Sequence, residues 1–315
     1  MDILGATMDT YTQTKTDVYS DAALALTHIF EHAILPHNYP HSSVFTETQQ
    51  VALREWLDLL YWTLPPTWMI HTLIQNLRTS FETAGSNPWD VQRIKETVKQ
   101  HRAVVIQSSK VQEEQWSESC KQGKDHVVTC GLWSLLHIVS VGVLERHDAV
   151  LGGRDRVTSE HTLDTLQGFF EHLYQEDKHN HHIYKHNNDQ LREHFMERIK
   201  ACKNDKTCTR RFHATRSTKK EDWKEVAMWM WEEHNGRIIE KLEKRLQRTP
   251  RPDELEKIEW PTKTACAECH KADGRWNKVK VLDFLKEEFW PGGIQNFRFV
   301  VLDRISKNQK DPETF

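Results

Sequence analysis

Three clusters of residues in this chain have the types and spacing to do chemistry. The first is Cys130-Gly-Leu-Trp133-Ser-Leu-Leu-His137. Trp133 and His137 stand at i and i+4, on one helix face and one turn apart. An aromatic plane beside an imidazole can hold a flat heteroaromatic ligand by stacking and hydrogen bonding. The same pair also suits a packed tryptophan and a core histidine with its bonds satisfied. The second cluster is Trp229-Met-Trp231-Glu-Glu-His234-Asn235. His234 and Asn235 offer donors and acceptors to a ring edge beside large apolar surfaces. An aromatic core stripe ending in polar residues reads equally well. The third is Cys266-Ala-Glu-Cys269-His270. C-x-x-C-H is the attachment signature of c-type haem, and a C-x-x-C is also a redox pair, or half of a zinc site that Cys202 and Cys208 would complete.

Six cysteines fall in three close pairs, Cys120/Cys130, Cys202/Cys208 and Cys266/Cys269. An even number in local pairs points to disulfides and an oxidising compartment, the secretory pathway or the extracellular space, although metal sites also pair cysteines. The N-terminal residues lack the basic segment and long apolar stretch of a secretory signal, so the compartment rests on the cysteines. No run of 18 apolar residues occurs, and no membrane span is expected. A net charge of −3 leaves no basic footprint for nucleic acid. His182 and His186 stand at i and i+4 beside His179 and His181. Without a flanking apolar pattern to fix them they read as a solvated insertion, and no metal site is expected.

The elements that must position these clusters are helical. Only 12 glycines and 10 prolines in 315 residues argue against a chain of short strands and tight turns. Ala22, Leu26, Ile29, Phe30 and Ala33 make a stripe over Ser20–Ile34, with Ser20 as N-cap. Thr46 and Gln49 form a capping box before Leu53, Trp56, Leu57, Leu60 and Leu64. Pro66 is placed to start the next helix, through Met69, Ile70, Leu73, Ile74 and Leu77, and a weaker helix follows to about Val105. Residues 107–129 are polar and read as a linker. Gly131–Leu144 is apolar nearly all round and reads as a buried helix. Further helices are expected over Thr162–Tyr174, Trp223–Leu246 and Val279–Phe289, with a polar stretch at 175–221 too long for an ordinary connection.

Taken in order, these residues resemble the C-terminal half of the quiescin sulfhydryl oxidases, whose catalytic part is an Erv-type domain. Cys120-x9-Cys130-Gly-Leu-Trp133-x3-His137, with Trp116 upstream, is similar to the family's disulfide-anchored first flavin helix. Trp231-x2-His234-Asn235 resembles the start of its W-x-x-H-N-x-V-N element. Lys257-Ile-Glu-Trp260-Pro, followed by Cys266-x2-Cys269-His270, resembles its K-x-x-W-P and C-x-x-C-H segment, and Val281-Leu-Asp-Phe-Leu its closing helix. The resemblance implies an all-α fold: an Erv-type FAD-binding helical bundle over residues 111–315, packed against a degenerate Erv-like helix-rich region over residues 1–110. It implies non-covalent FAD contacted by Trp133, His137, Trp231, His234, Asn235, Lys257 and Trp260. It also implies structural disulfides at Cys120–Cys130 and Cys266–Cys269, the latter remote from the flavin. A monomer is expected, because residues 1–110 would fill the place a second subunit takes in smaller relatives. Haem is left as a minor alternative.

The implied activity is oxidation of protein or small-molecule dithiols to disulfides, with molecular oxygen reduced to hydrogen peroxide. The family's redox C-x-x-C should end the helix at Gly168–Tyr174, but Glu176 and His179 stand there. That leaves Cys202 and Cys208 as the catalytic pair. At six residues apart they are about 9 Å apart along a helix, beyond disulfide reach, so a break at Asn204-Asp205 is expected. Lys200, Lys203, Lys206, Arg210 and Arg211 favour the thiolate there. The family's histidine after its redox pair is matched by Arg211 in one alignment and His182 in the other, and Ile238 stands in place of its second asparagine; all three are candidate flavin contacts. No W-C-x-x-C with a βαβ pattern occurs, so electrons are expected from a thiol-containing or thioredoxin-like protein. The alternative is a redox-inactive, Erv-like flavin-binding or structural subunit.

Overall fold

The computed structural model describes residues 15–34, 44–83, 89–107, 116–121, 127–150, 157, 159–174 and 223–290. These residues form an all-α fold of long helices: α1 (Lys15–His28), α2 (Glu47–Thr63), α3 (Met69–Glu82), α4 (Val91–Gln107), α5 (Val127–Val150), α6 (Ser159–His172), α7 (Trp223–Leu246) and α8 (Lys278–Phe289). Single helical turns at Glu118–Lys121, Pro252–Leu255 and Ala267–Cys269 punctuate the connections. Strand pairing among the described residues is limited to isolated bridges such as Ile34 with Tyr174.

Helix α5 is the axis, because its sequence is apolar on every side and must be surrounded. Leu132, Leu135, Leu136, Ile138, Val139, Val141 and Val143 are all buried, against α1, α2, α7 and α8. By length and composition the stretch Val127–Arg146 could cross a membrane, which the sequence reading did not anticipate; 78% of its apolar window is buried inside the protein. Two glycines let the neighbours come close. A Cβ on Gly131 would lie 2.3 Å from the Asp21 carbonyl oxygen, and one on Gly142 would lie 1.9 Å from that of Thr63. One apolar core, from Val18 to Phe289, runs through both parts of the chain. The expected boundary at residue 110 lies outside the described residues.

Local chemistry explains the start of α2. Gln49 N–H donates to Thr46 Oγ1 at 3.3 Å, and Thr46 N–H to Gln49 Oε1 at 3.1 Å, the expected capping box. Three expectations shift. Helix α1 begins at Lys15, so Ser20 is interior and caps nothing; Val18 and Tyr19 are buried and carry the apolar stripe back one turn. It ends in a π-helical turn, Ile29–Ala33, that buries Ile29, Phe30 and Ala33. Pro66 does not start α3. Pro65–Trp68 is a turn closed by Trp68 N–H on the Pro65 carbonyl at 3.0 Å, and the helix starts at Met69. The stretch read as a linker contains the Glu118–Lys121 turn and the first residues of α5.

Candidate functional site

Four elements bring aromatic and imidazole groups to one buried place, the fourth being α8 through Phe289. Helix α5 contributes Trp133 and His137, α7 contributes Trp231, His234 and Asn235, and the segment after Leu255 contributes Trp260. Trp133 and His137 share a face, but their rings are 6.2 Å apart. The indole stacks instead on His234, at 4.5 Å and 11°. His137 and His234 share a hydrogen bond, Nε2 to Nδ1 at 3.0 Å. Phe289, at the end of α8, stacks on His137 at 4.7 Å. Trp260 lies tilted 5.2 Å from His137 and 5.7 Å from His234.

Asn235 bonds within the protein. Its Nδ2 donates to the Trp260 carbonyl at 2.6 Å and the Trp231 carbonyl at 3.2 Å, while its Oδ1 accepts from Trp260 N–H at 2.7 Å. Trp231 Nε1–H donates to the same Trp260 carbonyl at 2.7 Å. These bonds clamp Trp260, whose peptide bond to Pro261 is cis, against α7. Trp231 is itself buried and packs edge-on against Trp276 at 5.0 Å. Ile238 is half-buried one turn after His234, and Lys257 is exposed three residues before Trp260.

Burial sets the electrostatics. It pushes His234 down to about 4, with the Lys241 charge adding a little. Burial, then the His234 neighbour, holds His137 well below the ordinary histidine range. Both rings are therefore neutral near pH 7, and one donates to the other. That bond uses only Nε2 of His137; its Nδ1 is buried and has no hydrogen-bond partner among the described residues. Buried polar atoms are nearly always paired, and this nitrogen is available to a ligand. An uncharged, flat heteroaromatic ring fits the donor set: a stacked indole–imidazole surface, neutral imidazoles and one unpaired ring nitrogen. A flavin meets that description.

The cysteines among the described residues are paired. Cys120–Cys130 has an S–S distance of 2.05 Å and Cys266–Cys269 one of 2.01 Å. With its sulfurs joined to each other, and His270 Nε2 on the Pro261 carbonyl at 2.8 Å, the C-x-x-C-H string presents no thiol for haem attachment or for zinc. Among the described residues no group of three or more metal-ligating side chains gathers. Cys202, Cys208, His182 and Arg211 lie outside the described residues, as do His179, His181 and His186.

Sequence reasoning missed the supports from α1. Tyr19 Oη donates to the Phe289 carbonyl at 2.8 Å, fixing the ring that stacks on His137. Asp21, fully buried, accepts from Ser117 N–H at 2.8 Å and from the Ser117 hydroxyl. This holds the turn that carries Cys120. Both contacts span about a hundred residues or more, where no local pattern points.

No family model matches the chain, and no curated protein matches it. Among solved structures, the sulfhydryl oxidase fragment of human QSOX1 superposes with a TM-score of 0.55, over 87% of this chain and 97% of that one, at 18% identity. At that identity the likeness shows a shared all-α fold.

Proposed function

We propose that this chain is an FAD-dependent thiol oxidase module, with Trp133, His137, His234 and Trp260 holding the flavin. The observation that carries the reading is the stacked Trp133–His234 surface beside the buried, unpaired Nδ1 of His137. Fold likeness to a sulfhydryl oxidase fragment supports it. FAD, when bound, supplies two-electron chemistry, so that a dithiol becomes a disulfide and oxygen becomes hydrogen peroxide. The chain's own part is to exclude water, stack the ring and offer a neutral nitrogen to it. Asn235 and Trp231 fix Trp260, and Tyr19 fixes Phe289. Cys202 and Cys208 are the proposed redox pair: a substrate thiolate attacks Cys202, and Cys208 leaves as thiolate. A thiol-containing or thioredoxin-like protein is the proposed donor, in the secretory pathway or outside the cell, to a monomer built of a 1–110 helix-rich region and a 111–315 oxidase domain.

The test is purification under native conditions, flavin absorbance, and thiol-dependent oxygen consumption with Cys202→Ala and Cys208→Ala beside the wild type. A yellow protein whose oxygen uptake is lost in both variants supports the reading. Full activity in both variants removes Cys202 and Cys208 from the chemistry. Bound flavin without oxygen uptake selects a redox-inactive flavin-binding subunit, which the atypical six-residue spacing of the pair favours as second reading. Protein unable to take up FAD at all overturns the proposal.

A further inference from the structure

Cys266 and Cys269 take no part in the chemistry proposed above, yet their loop is bonded into the aromatic cluster. Cys269 is fully buried and Cys266 half-buried. A thiolate arriving from solvent therefore meets Cys266 and leaves Cys269 as the departing sulfur. Glu268, the carboxylate between the two cysteines, is paired with Lys280 at 2.7 Å, so it does not repel an anionic nucleophile. Stabilisation alone explains this bridge poorly. It closes a separation of three residues, against ten for Cys120–Cys130, and a short loop constrains the unfolded chain least.

The loop's bonds run toward the site. The Cys269 carbonyl accepts from Asn277 N–H at 2.7 Å, at the start of α8, whose far end bears Phe289. His270 bonds the Pro261 carbonyl through Nε2, and Pro261 follows the clamped Trp260. Trp276 packs on His270 at 4.3 Å and on Trp231 at 5.0 Å.

We propose that Cys266–Cys269 is a second thiol–disulfide exchange site whose redox state sets how firmly Trp260 is held, and through Trp260 the affinity of the cluster for its ring ligand. The coupling half rests on the flavin reading; the exchange half does not. One thiolate of a dithiol attacks Cys266 Sγ, forming a mixed disulfide as the Cys266–Cys269 bond breaks and Cys269 leaves as thiolate. The dithiol's second sulfur then displaces Cys266. The dithiol ends as a disulfide, and its two electrons and two protons reside on the Cys266 and Cys269 thiols. A monothiol stops at the mixed disulfide on Cys266.

Two measurements on the full chain test this. The first treats Cys269→Ala and Cys266→Ala with oxidised glutathione and maps adducts by peptide mass. Access should make Cys266 react about tenfold or more faster than Cys269; equal rates overturn the exchange site. Where a variant fails to fold, brief exposure of the wild type to glutathione decides: an adduct on Cys266 supports the site, and an adduct on Cys269 or on neither overturns it. The second compares FAD affinity of the wild type with Cys266→Ser/Cys269→Ser, read by tryptophan quenching. Loosening the His270 bond to the Pro261 carbonyl should weaken binding roughly two- to tenfold; unchanged affinity overturns the coupling. FAD binding by neither protein defeats the flavin reading, while the glutathione result still decides the exchange site.

Discussion

Replacing Asn235 by alanine removes the clamp on Trp260 without touching a ring of the cluster. Three contacts disappear: two donations from Nδ2, to the Trp260 and Trp231 carbonyls, and acceptance of Trp260 N–H by Oδ1. The Trp260 carbonyl keeps Trp231 Nε1–H, but the Trp260 N–H loses its partner. Net loss of a buried hydrogen bond costs about 1 kcal/mol, and an orphaned buried donor about 1–3, so the change should cost about 2–4 kcal/mol. In a chain of 315 residues each kcal/mol is worth about 1.5 °C, so the melting temperature should fall by roughly 3–6 °C. FAD affinity, read by fluorescence titration, should fall about tenfold as Trp260 leaves its place. Asn235→Asp gives a sharper signature. Its carboxylate would face the two carbonyls that Nδ2 now serves, so its folded pKa should rise above the unfolded value of about 3.9. Stability from such a group is lost as pH rises through the folded pKa. Asn235→Asp should therefore be less stable than Asn235→Ala at pH 8 and should close the gap toward pH 5. A melting temperature for Asn235→Ala within 1 °C of wild type (about 0.7 kcal/mol), with unchanged flavin binding, would refute the clamp.

Acid should weaken the fold through the histidine pair: His234 sits at about 4 and an unfolded histidine near 6.5. The unfolded chain takes up the proton first, so stability falls between pH 6.5 and 4, by up to about 3 kcal/mol, with His137 acting in the same direction. His234→Gln should flatten the fall of melting temperature between pH 7 and 4.5, and parallel curves would sink the assignment. Gly142→Ala drives a methyl into the Thr63 carbonyl and should cost about 2–3 kcal/mol. Gly236→Ala, in α7 with nothing within 4 Å, should gain about 0.5–1 kcal/mol; thermal melts of the pair must diverge in sign. Opening Cys120–Cys130 by Cys120→Ala/Cys130→Ala should cost about 3 kcal/mol in urea titrations while the fold survives, because Asp21 still holds Ser117. Collapse of the near-UV circular dichroism would show that the network does not suffice.

Helices with a strong local signature were legible from sequence. The Thr46–Gln49 box places the start of α2, and the sequence pattern places a helix over Trp223–Leu246, because caps and apolar periodicity are local physics. Ser20 misled because a serine inside a helix looks like an N-cap until Val18 and Tyr19 are seen to be buried. Pro66 misled because a proline suited to N1 is equally suited to the turn before a helix. The members of the aromatic cluster were legible as residue types, but their roles were not. Spacing put Trp133 and His137 on one face, yet a helical face does not say which ring arrives from α7 to stack there. The resemblance of Trp231-x2-His234-Asn235 to a W-x-x-H-N element implies that Asn235 is a flavin contact. The bonds of Asn235 to Trp260, 25 residues away, are a second role that no period carries.

The clusters all lie in the second part of the chain, but the structure makes the first part a wall of the site. Phe289 can stack on His137 because the Tyr19 hydroxyl holds its carbonyl. Trp133 and His137 stand where they do because α5 is pressed against α1 at Gly131, with Asp21 beneath it. The Cys120–Cys130 bridge ties in a turn that Asp21 has already bonded through Ser117. Positioning of the aromatic cluster is thus shared between elements far apart in sequence, through one continuous core. A helix-rich region that merely tolerated its neighbour would need none of these polar bonds. Apolar packing of α1 on α5 would suffice, and it would leave Tyr19 and Asp21 free to be any residues that fit.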